Sequence, residues 1–189
     1  MKKVVIVSAC RTPTGRLMGT LSALTAPQLG APVIAGAVKQ GGIQPSRVDE
    51  VILGNVVSAG IGQSPARQAA ILAGLPNKTA AVTVNKVCAS GMKAIALAAQ
   101  SILLGEADIV VAGGMESMSN APFLLPEMRA GKGCGDTAAV DAMIRDGLWD
   151  CYNDAHMGTL CELTVKKHRI SREDQDRFAL DSHRKGAAA

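Results

Sequence analysis

The chain has 189 residues, 48% of them apolar, which supplies enough buried surface for a folded core and excludes a disordered polymer. Aromatic residues make up only 2%, too few for a protein that stacks nucleic-acid bases on aromatic platforms. The formal charge is +4 with the cations scattered, and the densest cluster, Lys166-Lys167-His168-Arg169, sits among acidic residues. It reads as a solvated helix end, so no nucleic-acid partner is expected.

In chain order, the β-branched run VVIVSA at 4–9 predicts a first strand and is too short for a signal-peptide core. PQLGAPVIAGAVKQGG (27–42) predicts a helix closed by glycines, with Gly30 and Pro32 weakening its start. DEVILGNVV (49–57) predicts a second strand. Ser64 and Pro65 read as N-cap and first helical residue of SPARQAAILAG. AAVTVNKV (80–87) predicts a third strand, CASGMKAIALAAQSILLG (88–105) a third helix, and DIVVAGG (108–114) a fourth strand. This alternation predicts an α/β fold: a mostly parallel sheet, joined by right-handed crossovers, with helices on both faces.

Two of these elements are apolar beyond the usual pattern. The fourth strand is apolar at successive positions, as expected when both its faces are covered. In the third helix Met92, Ile95, Ala99, Ile102 and Leu103 form one apolar face, and Leu97 and Leu104 extend it to a second. Only Lys93, Gln100 and Ser101 leave a polar stripe, so this helix is expected to be buried on several sides. No apolar run is expected to reach bilayer-spanning length, and no membrane partner is expected.

After about residue 119 the pattern changes. NAPFLLPEMRAGKGCGD reads as a loop, and helical segments are predicted at about 137–147, about 154–168 and from 171 onward. Ser171 with Asp174 gives the last of these a capping-box start. The expected division is therefore 1–119 as the α/β domain and 120–189 as a partial helical loop domain.

Five cysteines, at 10, 88, 134, 151 and 161, are odd in number and form no C-x-x-C pair. Neither a disulfide framework nor a zinc site is suggested, which fits a reducing compartment. Cys88 is the one whose place carries chemistry. It sits where a strand runs into a helix, and the unpaired N–H groups and partial positive charge of a helix N-terminus favour thiolate over thiol. Ala89, Ser90 and Gly91 leave room for a bulky substrate, and the Cys88 N–H is placed to form half of an oxyanion hole. A buried, inert structural cysteine fits the same position equally well.

Four stretches decide between these readings. NKVCASGMKAIALAAQSILLGEADIVVAGGMESMSNAPFLLP resembles the nucleophile region of the thiolases, the acetoacetyl-CoA type in particular. RTPTGRLMGTLS, EVILGNVVSAGIGQSPARQAAILAGLP and DGLWDCYNDAHMGTLCE resemble the same family in the same order, so the likeness covers essentially the whole chain.

The resemblance implies a layered thiolase-like fold and acetyl-CoA C-acetyltransferase chemistry, which condenses two acetyl-CoA to acetoacetyl-CoA or reverses that step. Cys88 matches the nucleophile that carries the acyl group as a thioester. His156 and Met157, in DAHMG, match positions that lie against the pantetheine and acyl end of the substrate. Unaided, His156 reads as a satisfied histidine near a helix start and Met157 as core. Gly91, Gly113 and Gly114 read as close backbone packing, and Glu116 and Ser117 as structural.

By the same resemblance no metal or prosthetic group is expected, and coenzyme A thioesters are substrates rather than cofactors. A cytoplasmic homodimer or homotetramer is expected. The family's GHP histidine, C-x-G-G-G cysteine and NEAF asparagine motifs do not occur in this sequence. The C-terminal thiolase domain and the segment that completes the first sheet are therefore expected to be absent, and the chain alone is expected to be inactive. Three other readings compete: a ketoacyl-synthase-like condensing enzyme, a non-catalytic fragment that associates with a full-length thiolase chain, and a redox-sensing thiol protein. GGMESMS and HMG argue against the first.

Overall fold

The computed structural model describes residues 3–189. The chain forms two compact units, Met1–Gly147 and Leu148–Ala189.

The first unit is built on helix α1 (Ala26–Gln40), strand β1 (Glu50–Gly54), helix α2 (Pro65–Leu72), strand β2 (Ala80–Val84), helix α3 (Ser90–Leu104) and strand β3 (Val110–Gly114). The sheet has the order β2-β1-β3 and both pairings are parallel. Gly54 pairs with Val84 on one side and with Gly114 on the other, so three strand ends lie level.

Alternation along β1 sends its side chains to both faces. Val51 and Leu53 join Ile34 and Val38 of α1 and Ala66, Ala69 and Ala70 of α2 in one buried cluster. Ile52 points the other way and packs with Ala94 and Ala98 of α3. Helices thus cover both faces of a parallel sheet, as the alternation of elements predicts.

Several local expectations change. The run 4–9 is not a strand: among the described residues it has no ladder partner, and Val5 and Ile6 are 71% and 80% exposed. Its tie to the unit is the Ser8 hydroxyl, which donates to the Ala37 carbonyl of α1 at 2.8 Å. β-Propensity reflects fit to a paired, half-buried surface, and without a neighbouring strand it makes no strand. Pro32 lies inside α1 and does not end it, because it sits on the exposed face where water replaces lost backbone partners. Ser64 does precede α2, but in the left-handed region (φ 45°) and without a side-chain cap. The Thr83 hydroxyl of β2 instead accepts the Ala66 N–H at 3.0 Å.

α3 is not buried on several sides. It buries a narrow stripe of Ser90, Ala94 and Ala98, while Met92 and Leu104 are each 76% exposed. Small residues let the helix approach the sheet closely, and within the described residues no second layer covers the larger ones. The expectation about run length also needs correcting. Val87–Leu104 has 18 residues at a mean hydropathy of 1.6, long and apolar enough to cross a bilayer by length and composition. In this fold that stretch includes α3, packed on the sheet. β3 is only half-buried, because it is an edge strand.

Beyond the sheet, β4 (Phe123–Leu124) and β5 (Val140–Asp141) pair antiparallel. The helix expected at about 137–147 shrinks to a π-helical turn, Met143–Leu148. Val140 and Asp141 are held extended by β4, and the Asp141 carboxylate accepts the Met143 N–H at 2.8 Å, a local bond that competes with an earlier helix start.

In the second unit, β6 (Trp149–Asp150) and β7 (Ala155–His156) form a short antiparallel pair that leads into α4 (Met157–His168) and α5 (Arg172–Ala188). The Ser171 hydroxyl accepts the Asp174 N–H at 3.1 Å, so the expected cap is present.

Candidate functional site

The site is assembled at the turn between β2 and α3. Asn85 follows β2, and its side-chain oxygen accepts the Val87 N–H at 2.9 Å. Val87 is left-handed (φ 50°), which is rare for a β-branched residue. Cys88 comes next, and α3 begins two residues later at Ser90 rather than at the cysteine itself. The Cys88 thiol is exposed. That placement excludes the reading of a sealed structural cysteine.

Cys88 opens onto a cleft of about 370 Å³. Gly54, Gly91 and Gly114 line part of it, and Val56, Val87 and Met115 supply apolar contact. The cleft lies at the carboxyl ends of β1 and β3, where open α/β sheets commonly bind ligands. The glycines leave room for the turn to sit on the sheet. A Cβ on Gly114 would lie 3.4 Å from the Gly91 Cα, and one on Gly54 would lie 2.8 Å from the Gly91 nitrogen. Close packing at Gly91 and Gly114 was legible in the sequence. Gly54 is the one that pattern reading misses, although a glycine closing the apolar run EVILG is a signal of close approach.

Glu116 also lines the cleft. One of its oxygens accepts the Asn55 side-chain amide at 2.7 Å and the Val57 N–H at 3.3 Å, and the other accepts the Val56 N–H at 2.8 Å. The carboxylate therefore joins the loop after β1 to the loop after β3. Burial raises its pKa above the usual glutamate value, and the donors at Val56, Val57 and Asn55 oppose that shift only in part. Asn55 is 1% exposed. Its amide nitrogen also reaches the Met115 carbonyl at 3.3 Å, while its side-chain oxygen has no partner among the described residues. A sequence search for titratable pairs misses this cluster, because its partners are main-chain groups about sixty residues away.

The other predicted site residues lie in the second unit. His156 closes β7 and is the N-cap of α4; its Nδ1 accepts the Gly158 N–H at 3.0 Å. Met157 opens α4 and is half-exposed. His156 thus caps a helix start through Nδ1, and Met157 is exposed rather than core.

Chemically, the cleft presents an exposed sulfur nucleophile beside three glycines that leave part of its lining open. An electrophilic carbonyl on a long, thin carrier can approach such a thiol without steric obstruction.

The model of the thiolase N-terminal domain matches residues 4–189. Acetyl-CoA acetyltransferase 2 of Arabidopsis thaliana is 54% identical over 188 residues, covering 100% of this chain and 47% of the relative. An acetyl-CoA acetyltransferase of Cupriavidus necator is 54% identical over 189 residues, covering 100% of this chain and 48% of the relative. Among solved structures, the Acat5 thiolase of Ascaris suum in complex with coenzyme A superposes with a TM-score of 0.93 at 46% identity, over 97% of this chain and 48% of that one. The chain spans about half the length of these relatives.

Proposed function

The chain belongs to the thiolase family, and from that premise we propose that it supplies the acyl-accepting half of an acetyl-CoA C-acetyltransferase. The observation that carries the reading is the exposed Cys88 thiol in the glycine-lined cleft at the strand ends.

In the proposed first step, the Cys88 thiolate attacks the carbonyl carbon of acetyl-CoA. A new C–S bond forms as the bond to the coenzyme A sulfur breaks, and coenzyme A leaves as a thiolate that takes up the proton Cys88 gave up. The Cys88 N–H donates to the oxygen that gains charge during attack. In the second step, another acetyl-CoA loses a methyl proton and its carbanion forms a C–C bond to the acetyl carbonyl; the bond to the Cys88 sulfur breaks, acetoacetyl-CoA leaves, and the methyl proton ends on that sulfur. His156 and Met157 contact the pantetheine and acyl end of the substrate. Coenzyme A thioesters are substrates, and neither a metal nor a prosthetic group takes part. The setting proposed for this activity is the cytoplasm, with a homodimer or homotetramer as the assembly.

The first step is the one to test on this chain, because the GHP and C-x-G-G-G motifs of the family are not in its sequence. Incubation with acetyl-CoA, followed by peptide mass mapping, is expected to place one acetyl group on Cys88 and none on Cys10, Cys134, Cys151 or Cys161. A chain that stays unacetylated at Cys88, or one labelled evenly on all five thiols, would refute the reading.

A further inference from the structure

We propose that Ser90 is a positioning residue for Cys88: its hydroxyl clamps the left-handed turn at Val87, and that turn holds the thiol in the cleft. The inference rests on the acyl-transfer reading only for what Cys88 does once it is held.

The geometry begins with Val87. A φ of 50° brings Cβ against the flanking carbonyl, and a β-branched side chain makes that contact worse. Such a conformation persists only where its surroundings over-determine it. Val87 itself is exposed, so packing does not hold it. Hydrogen bonds do. The Ser90 Oγ accepts the Lys86 N–H at 2.8 Å and donates to the Val87 carbonyl at 2.6 Å. One hydroxyl thus grips the backbone on both sides of the strained residue, directly before the cysteine. The Ser90 N–H adds a bond to the same carbonyl at 3.0 Å, and the Ala89 N–H reaches the Lys86 carbonyl at 3.1 Å.

Ser90 is suited to this task because it cannot move. It is 5% exposed, and its Cβ sits against Gly54 at the end of the central strand. The hydroxyl is therefore referenced to the sheet, and through it so is the sulfur. Alanine at 90 leaves the Lys86 N–H without its acceptor and removes one donor from the Val87 carbonyl. Val87 then relaxes toward negative φ, which rotates the following peptide and carries Cys88 away from the cleft. Glycine at 87 adopts positive φ without penalty, so it removes the need for the clamp.

A role confined to starting α3 makes a different prediction, since changing Val87 would not repair a lost helix start. The test uses the intact chain with Ser90→Ala, Val87→Gly and the double variant. Iodoacetamide alkylation of Cys88 is followed by peptide mapping, with exposed Cys10 as internal reference, and circular dichroism confirms the fold. Ser90→Ala is expected to slow Cys88 relative to Cys10 by about tenfold, and Val87→Gly in the same chain to restore most of that rate. An unchanged rate in Ser90→Ala, or a double variant as slow as the single one, overturns the clamp. If Ser90→Ala does not fold, the double variant alone decides: a rate near wild type supports the clamp and a slow one overturns it.

Acetylation by acetyl-CoA, measured in parallel, separates the two readings. Alkylation that follows the expected pattern in a chain that takes no acetyl group upholds the clamp and refutes acyl transfer. Normal acetylation with no effect of Ser90→Ala on alkylation does the reverse.

Discussion

Gly54, the last residue of β1, and Ser90, the first of α3, meet so closely that a Cβ built on Gly54 would lie 2.6 Å from the Ser90 Cβ. The same atom would lie 2.7 Å from the Ser90 carbonyl carbon, so a flexible side chain cannot relieve the clash. The first turn of α3 would have to shift, and Cys88 with it. Gly54→Ala is expected to cost about 1–3 kcal/mol in urea unfolding and to slow alkylation of Cys88. Gly133 has nothing within 4 Å of its built Cβ, so Gly133→Ala is expected to stay within about 0.5 kcal/mol. Equal effects from the two substitutions would contradict this packing.

Glu116 predicts a pH dependence with a definite sign. Its pKa in the folded chain is raised above the ordinary 4.5, chiefly by burial, so the folded state holds the proton more tightly than the unfolded chain does. Stability from this group is fully present below the unfolded value and is lost as pH rises through the folded one. The unfolding free energy of wild type minus that of Glu116→Gln should therefore fall as pH rises from about 4 to about 8. A difference that grows with pH would show that the hydrogen bonds from Asn55, Val56 and Val57 outweigh desolvation.

Asp49 predicts the opposite slope. One of its carboxylate oxygens accepts the Ile109 N–H at 2.9 Å and the Asp108 N–H at 2.8 Å, and these bonds lower its pKa below 3.8. Its stabilisation is present above the unfolded value and is lost as pH falls through the folded one. Asp49→Asn keeps an oxygen for both bonds but removes the charge. Wild type should be the more stable by less than about 1 kcal/mol near neutrality, because the carboxylate is exposed, and should lose that advantage in acid. Urea midpoints of both proteins across the acid range measure the effect, and a gap unchanged by pH would refute it.

His156 separates a capping role from a substrate role. Asparagine is a strong N-cap and can accept the Gly158 N–H in place of Nδ1. His156→Asn is therefore expected to leave the unfolding midpoint nearly unchanged. Under the proposed function it slows acetylation of Cys88 by about tenfold, the loss expected for one positioned contact. An unchanged acetylation rate would reduce His156 to its cap.

Where local chemistry sufficed, the sequence was a good guide. The Ser171–Asp174 cap, the glycine that closes α1, and the alternation of β1, α2, β2, α3 and β3 all follow from residues within one turn or one strand of each other. Cys88 stood out for the same reason, as a thiol where β-branched residues give way to helix formers. The apparent excess of apolar surface on α3 misled, because periodicity counts apolar residues without showing what covers them. The run 4–9 misled likewise, because a strand exists only when another strand accepts its hydrogen bonds.

The sequence by itself determined the layered α/β class and the position of the thiol, since both depend on neighbours a few residues away. The tertiary structure alone decided that Gly54 supports Ser90, that Glu116 joins the loops after β1 and β3 over 60 residues of sequence, and that Val87 is held left-handed before Cys88. The physical reason is distance along the chain: a half-buried carboxylate, a strained turn and a glycine contact are specified by partners that only folding brings together.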